Sequence, residues 1–114
     1  MSEHSDKIRD LNDRRRKDDW LVSGETFITS GLLHVMEEQD ASPDELQKLV
    51  ARYDDFNPHN DPHGEHDFGV FSYLEHKCFW KIDIFDPTGQ FAADDPTDAE
   101  KSHRVLTIML ADEY

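Results

Sequence analysis

Three histidines lie close together in one short, turn-rich stretch of the sequence, NPHNDPHGEHDFG (residues 57–69). His59, His63 and His66 are spaced by four and three residues, and Asp67 follows directly after the last of them. Zinc is bound in proteins by neutral imidazole and carboxylate groups in tetrahedral sites, and a loop bent by proline can bring such groups together. These four residues are therefore one candidate site for zinc or another divalent metal, in a metal-binding protein or a metal-dependent hydrolase.

The same stretch also suits a purely structural loop. Its histidine order does not match the helical H-E-x-x-H motif of zinc proteases. Asp61 and Asp67 are placed for Asx-turns, in which the side chain accepts a hydrogen bond from a nearby backbone N–H. His66 can bond a carboxylate or a carbonyl and so hold the loop against the sheet. A third interpretation makes His63 or His66 a general base near neutral pH, but no phosphate loop or nucleophile motif accompanies them.

The net charge of −14 is the strongest global feature, and it is unevenly distributed. Residues 1–20 hold six acids and six bases, whereas residues 21–114 hold twenty acids and six bases. Such a surface repels nucleic acid and anionic membranes, because phosphate binding requires Lys and Arg. It attracts cations and basic protein surfaces. The alternative is that the acidity only keeps the protein soluble.

One segment of the acidic part contains six acids and no base, and we take these acids as the candidate partner-binding residues. They are Asp83, Asp86, Asp94, Asp95, Asp98 and Glu100.

Length and cysteine content limit the class of protein. A chain of 114 residues is expected to form a single α+β domain over 1–114, with residues 1–20 as a candidate peripheral N-terminal helix. The single cysteine, Cys78, cannot form an internal disulfide. No apolar run has the roughly 20 residues of a membrane span, and the N-terminus lacks the hydrophobic stretch of a signal peptide. We therefore expect a cytoplasmic protein.

The hydrophobic pattern predicts alternating helices and strands. Ser42 suits a helix N-cap, and the apolar spacing after it predicts an amphipathic helix over about residues 43–55. GLLHVMEEQ (31–39) is ambiguous between an extended segment and a helical turn. Strands are predicted over about 25–30, 68–74, 78–85 and 104–111, with a tight hairpin turn at 75–77. The order favours a mostly antiparallel sheet of about four strands with two helices on one face.

The faces of two strands can also be predicted. In the strand over 78–85, Cys78, Trp80, Ile82 and Ile84 alternate on one face and are expected to pack on the helices. The opposite face is expected to be either partly solvated or a binding surface; it carries Phe79, Lys81, Asp83 and Phe85. The apolar run 104–111 predicts a strand covered on both faces. The basic cluster 14–17 lies among aspartates and is expected to form a self-neutralising, solvated face.

Three blocks of the sequence resemble the signature of a small bacterial family of unknown function. They are NDPHGEHDFG (60–69), FWKIDIFD (79–86) and RVLTIMLADEY (104–114), with a weaker match at IRDLND (8–13). The chain departs from the family at Ile84 and Phe85, where relatives tend to have a tyrosine pair. The resemblance implies one shared architecture, a hallmark loop at 60–69 and a frequent location on mobile DNA. It brings no assigned activity.

Charge and motifs together favour a small acidic, non-enzymatic binding or inhibitor protein without a cofactor. Its expected partner is a basic nucleic-acid-binding protein, engaged by imitation of nucleic acid as in anti-restriction or anti-CRISPR proteins. Direct binding to nucleic acid or to a membrane is not expected. The alternative remains the metal-dependent protein built on the histidine loop, His59, His63 and His66.

Overall fold

Three α-helices and four strands are the main elements of residues 2–114, the part of the chain that the computed structural model describes. The helices are α1 (Glu3–Arg16), α2 (Ser30–Glu38) and α3 (Pro43–Ala51). The strands are β1 (Gly24–Ile28), β2 (Phe68–Tyr73), β3 (His76–Phe85) and β4 (His103–Leu110). Two single turns of 3-10 helix flank β4, Ala99–Lys101 before it and Ala111–Glu113 after it. None of the described helices has the length and apolar character needed to cross a membrane.

The four strands form one mixed sheet in the order β1-β4-β3-β2. β3 pairs antiparallel with both of its neighbours, whereas β1 runs parallel to β4 at the edge of the sheet. The predicted α+β class and the mostly antiparallel sheet of four strands are therefore confirmed. The predicted number of helices was too low, because the ambiguous stretch after β1 forms α2.

The packing of α2 explains why this stretch is helical. Leu32, Val35 and Met36 are buried at the i, i+3 and i+4 spacing of one helix face. At the start of the helix the backbone N–H of Gly31 donates to Glu113 Oε2 at 3.1 Å. Glu113 also accepts from Thr29 Oγ1 at 2.6 Å, so a residue near the other end of the chain completes the helix N-terminus.

The predicted cap of α3 is confirmed, since Ser42 Oγ accepts from the backbone N–H of Asp44 at 3.2 Å. Leu46 and Val50 are buried beneath this helix. The helix ends at Ala51, four residues earlier than the predicted boundary of 55.

The hairpin between β2 and β3 turns earlier than predicted. Leu74 and Glu75 form the two-residue turn, with φ of 51° and 66°, while His76 and Lys77 already belong to β3. Positive φ at both positions is the geometry of a type I′ turn, whose twist matches that of the flanking strands. The predicted turn at 75–77 was wrong because neither Leu nor Glu is a typical residue for that conformation.

The core lies between the helices and one face of the sheet. Cys78 and Trp80 are fully buried there, and Ile82 is 6% exposed, which confirms the predicted inward face of β3. Gly69 pairs with Trp80 in the register, and the indole of Trp80 occupies the space that a side chain at position 69 would need.

The other face of the sheet carries no helix and is only partly buried. On β4, Arg104, Leu106 and Ile108 are buried on the helix side; on the other side Met109 is 3% exposed, whereas Val105 and Thr107 are only partly buried. The prediction that this strand is covered on both faces therefore holds at Met109 but not at Val105 and Thr107. Its apolar character comes from its central position between two neighbouring strands.

Helix α1 is part of the packed body and not a peripheral addition, because Ile8 and Leu11 are buried. The basic cluster at its end is neutralised by aspartates, as predicted. The ion pairs are Arg14–Asp19 at 2.8 Å, Arg15–Asp18 at 2.6 Å and Arg16–Asp13 at 2.8 Å. The predicted solvation was wrong for two members, since Arg15 is 6% and Arg16 5% exposed.

Substituting Gly69 tests how tightly the core packs. A Cβ at this position would collide with Trp80 Nε1 and lie 2.8 Å from Tyr53 Cε1. We expect Gly69→Ala to lower the free energy of unfolding by about 1–3 kcal/mol, measured by urea denaturation. Ser72→Ala, on the exposed side of the same strand, is the control; an equal loss in both variants would contradict the packing argument.

Candidate functional site

The structure separates the three histidines of the 57–69 loop. His59 and His63 are exposed, whereas His66 is half-buried. Among residues 2–114, no three histidine, cysteine or carboxylate side chains lie together as a group that could hold a metal ion. The geometry therefore does not assemble His59, His63, His66 and Asp67 into one site.

His66 is held between two carboxylates and an aromatic ring. Its Nδ1 lies 2.8 Å from Asp13 Oδ1 on α1, and its Nε2 lies 3.6 Å from Asp61 Oδ2. The imidazole stacks on Phe56, with 3.6 Å between ring centroids and 5° between planes. The backbone of His66 has a φ of 53°, a left-handed conformation that these contacts maintain. The prediction that His66 bonds a carboxylate is confirmed, but this carboxylate belongs to α1 and not to the sheet.

Asp61 organises the backbone of the same loop. Its Oδ1 accepts hydrogen bonds from the backbone N–H groups of Glu65 and His66, both at 3.1 Å. Asp61 thus bonds nearby backbone N–H groups as predicted, but it does so four and five residues ahead and not two residues ahead as in an Asx-turn. Asp67 lies just before β2, and burial raises the pKa of its carboxyl, with the charges of Asp61 and Asp83 acting in the same direction.

A buried arginine with only neutral partners joins this loop to the rest of the protein. Arg104 is fully buried, and burial lowers its pKa to about 10. Its three guanidinium nitrogens donate to Asn12 Oδ1 at 2.7 Å, Ser102 Oγ at 2.7 Å and the Pro96 carbonyl at 2.6 Å. Asn12 in turn donates from Nδ2 to the Glu65 carbonyl at 2.9 Å. Sequence reasoning missed both residues, because nothing local marks Asn12 or Arg104 as buried.

Three of the predicted partner-binding acids build turns. Asp86 Oδ1 accepts from the hydroxyl and the backbone N–H of Thr88, and Asp95 Oδ1 accepts from the same two groups of Thr97. Asp98 Oδ1 caps the short 3-10 helix through the N–H of Glu100 at 2.9 Å. The side-chain hydrogen bonds from threonine lower the pKa of Asp86 and of Asp95, so both stay ionised.

The remaining three predicted acids have other surroundings. Asp83 Oδ2 pairs with Lys81 Nζ at 2.8 Å, and both residues lie on the helix-free face of the sheet. Asp94 and Glu100 are exposed in the connection between β3 and β4. The six acids thus lie in the last part of β3 and in the connection that leads from β3 to β4.

The helix-free face, which we call the open face, carries an aromatic cluster. Phe68 and Phe79 lie 5.1 Å apart between ring centroids, and Tyr114 packs edge-on against both at 6.1 and 5.6 Å. Phe27 on β1 is 51% exposed. Apolar side chains at such exposure, bordered by charged groups, are typical of protein interfaces.

Cys78 has none of the properties of a nucleophile. The thiol is fully buried on the helix side of β3, and burial raises its pKa to about 11. Because the thiolate is the reactive form, this residue behaves as a small apolar core side chain.

Fold and site together define a small acidic α+β domain with one open sheet face. The chain belongs to the family described as "Protein of unknown function (DUF3768)", whose model matches residues 28–113. The resemblance drawn from the sequence blocks is thereby confirmed, and helix α1 lies outside the matched region. Nothing among curated proteins or solved structures matches the chain.

Removing Asn12 tests the buried network. Asn12→Ala leaves the Nε of Arg104 and the carbonyl of Glu65 without their partners. We expect the free energy of unfolding to fall by about 2–4 kcal/mol, measured by urea denaturation. Asp10→Ala, on the exposed side of the same helix, is the control and should cost less than about 0.5 kcal/mol. A loss of similar size in both variants would show that Asn12 has no special role.

The two histidines His63 and His66 form a matched pair for testing the loop. His66→Ala removes the ring stacked on Phe56 and the bond to Asp13. We expect faster amide hydrogen exchange over residues 59–66 and a loss of about 2 kcal/mol of stability. His63→Ala should change neither quantity, because His63 is exposed. Unchanged exchange in the His66 variant would rule out the anchoring role.

Proposed function

We propose that this protein is a non-catalytic binding protein whose open sheet face docks on a basic surface of another protein. The observation that carries the proposal is the open aromatic face, which carries Asp83 and ends at a connection where residues 83–100 hold six acids and no base. The three described α-helices all pack on the other side of the sheet, so none of them covers the open face. We call the open face together with residues 83–100 the docking surface.

The aromatic part of the docking surface supplies contact area. Phe27, Phe68, Phe79 and Tyr114 present rings that lose little conformational entropy when a partner covers them. Aromatic side chains of this kind dominate binding energy at protein interfaces. On the strands of this face, Lys81 Nζ pairs with Asp83 at 2.8 Å, and Glu25 Oε1 lies 3.0 Å from His103 Nε2.

The acidic part supplies attraction and orientation. Asp86, Asp95 and Asp98 each use Oδ1 for local hydrogen bonds, which leaves Oδ2 available to a partner's lysine or arginine. Carboxylates fixed in this way need little reordering on binding, which lowers the entropic cost. A row of fixed negative charges beside a contact surface also resembles the phosphates of a nucleic acid.

The partner best suited to this surface is therefore a basic, nucleic-acid-binding protein. An inhibitor of a nuclease, a restriction enzyme or a CRISPR effector would occupy the partner's phosphate-binding groove in this way. The net charge of −14 supports the proposal, because it speeds association with a basic surface and disfavours direct binding of this protein to nucleic acid.

Charge removal on the docking surface is the primary test. Asparagine retains the Oδ1 acceptor of aspartate, so the turns survive while the charge is lost. The test variant combines Asp86→Asn, Asp94→Asn, Asp95→Asn, Asp98→Asn and Glu100→Gln. The control removes five acids on the helix side: Glu37→Gln, Glu38→Gln, Asp40→Asn, Asp54→Asn and Asp55→Asn. Each set changes the formal charge from −14 to −9.

Binding is measured with a partner captured from source-cell extract, identified by mass spectrometry and then purified. We expect the test variant to weaken binding at least about tenfold and to make the affinity less dependent on salt concentration. The control variant should keep most of the wild-type affinity and most of its salt dependence. DNA should compete with the wild-type protein for this partner. Equal effects of the two variants, or a failure of DNA to compete, would contradict imitation of nucleic acid.

The aromatic contribution is tested separately. Phe27→Ser should weaken binding to the same partner by about tenfold or more without a large loss of stability, since this side chain is half-exposed. Leu33→Ser on α2, at 41% exposure, is the matched control on the helix side. If both variants bind as the wild type does, the open face is not the contact surface.

A further inference from the structure

A cavity of about 230 Å³ lies on the helix side of the sheet, opposite the docking surface. It opens between the C-terminal end of α1 and one face of α3. Its floor consists of apolar side chains, Val50, Leu106 and Ile108, all of which are almost fully buried. On α3 the lining residues Asp44, Lys48 and Ala51 recur at helical spacing along the cavity.

The walls of this cavity are basic, in contrast to the rest of the chain. Four of the twelve bases line it, and only two of the 26 acids do. The bases are Arg15, Arg16, Lys17 and Lys48, and the acids are Asp18 and Asp44. The lining therefore carries a formal charge of +2 in a protein whose net charge is −14.

The two arginines are buried but not fully partnered. Arg16 donates to three carbonyls at the end of α3 and to Asp13, whose carboxylate is shared with His66. Arg15 donates to the Val22 carbonyl and to Asp18, a side chain that is 81% exposed.

The Nε–H of Arg15 and that of Arg16 are both buried without any hydrogen-bond partner. Each of these guanidinium groups is nevertheless paired with one aspartate, Arg15 with Asp18 at 2.6 Å and Arg16 with Asp13 at 2.8 Å. The positive charge of the lining is therefore supplied by its two exposed lysines, Lys17 and Lys48. Both Nε atoms are closed to solvent, and the Arg16 guanidinium lies over the rings of Phe56 and Trp80, so a ligand in the cavity would meet the lysines and not these donors.

We infer that this cavity binds a small organic anion, specifically a carboxylate on a short apolar body. The carboxylate lies against Lys17 and Lys48, whose ammonium groups donate charge-assisted hydrogen bonds. The apolar body rests on Leu106 and Ile108. The cavity volume limits the ligand to a few carbon atoms beyond its charged group. The inference goes beyond the docking surface and does not depend on it.

Hexanoate is the probe, and binding is measured on the full chain by calorimetry and by ¹H–¹⁵N chemical shifts. Three comparators each remove one feature: hexan-1-ol lacks the charge, hexylammonium reverses it, and inorganic phosphate lacks the apolar body. We expect hexanoate to bind saturably, at least about tenfold more tightly than each comparator, and to shift the amides of Thr26, Gln47 and Ala51. Equal binding of any comparator, or no saturable hexanoate binding below about 10 mM, would overturn the inference.

Variants on the cavity rim locate the site without disturbing the buried arginines. Lys17→Gln combined with Lys48→Gln should weaken hexanoate binding at least about fivefold, because both lysines are exposed lining residues. Gln47→Phe should abolish binding by filling the cavity. The control is Lys7→Gln combined with Lys101→Gln, which makes the same change in net charge away from the lining. An equal loss in the control, or unchanged binding in both cavity variants, would show that the cavity is not the site.

Discussion

The buried guanidinium of Arg104 is the interaction on which the rest of the structure depends. It lies on the central strand β4 and meets only neutral acceptors, from α1, from the 3-10 turn and from the acidic connection. Burying a charge without a carboxylate partner is costly, so these acceptors must stay in place. Asn12 extends the same network to the Glu65 carbonyl. Helix α1, the histidine loop and the acidic segment are thereby held to one strand.

This arrangement gives the two sides of the sheet different chemistry. All three described helices lie on the side of Arg104, where the rim lysines Lys17 and Lys48 give the cavity its positive charge. The opposite side keeps its aromatic residues open to solvent, with the acidic segment at one end. An acidic docking surface and a basic cavity can coexist because the sheet separates them and because local ion pairs neutralise the charges between them.

The histidine loop, the most conspicuous stretch of the sequence, is explained by architecture. Asp61 closes the turn, His66 stacks on Phe56 and contacts α1, and Gly69 leaves room for the indole of Trp80. Each of these residues therefore has a defined structural task. High histidine density in a short segment therefore does not by itself indicate a metal site, since two of the three side chains are exposed and separate from the third.

The sequence by itself determined the features that depend on near neighbours along the chain. The α+β class, the cap at Ser42, the strand positions and the inward face of β3 all follow from spacing and local preference. Only the tertiary structure decided the parallel pairing of β1 with β4, the helicity of 30–38 and the burial of Arg15, Arg16 and Arg104. The physical reason is that these features depend on contacts between residues far apart in the chain, such as Asn12 with Arg104, which no local pattern records.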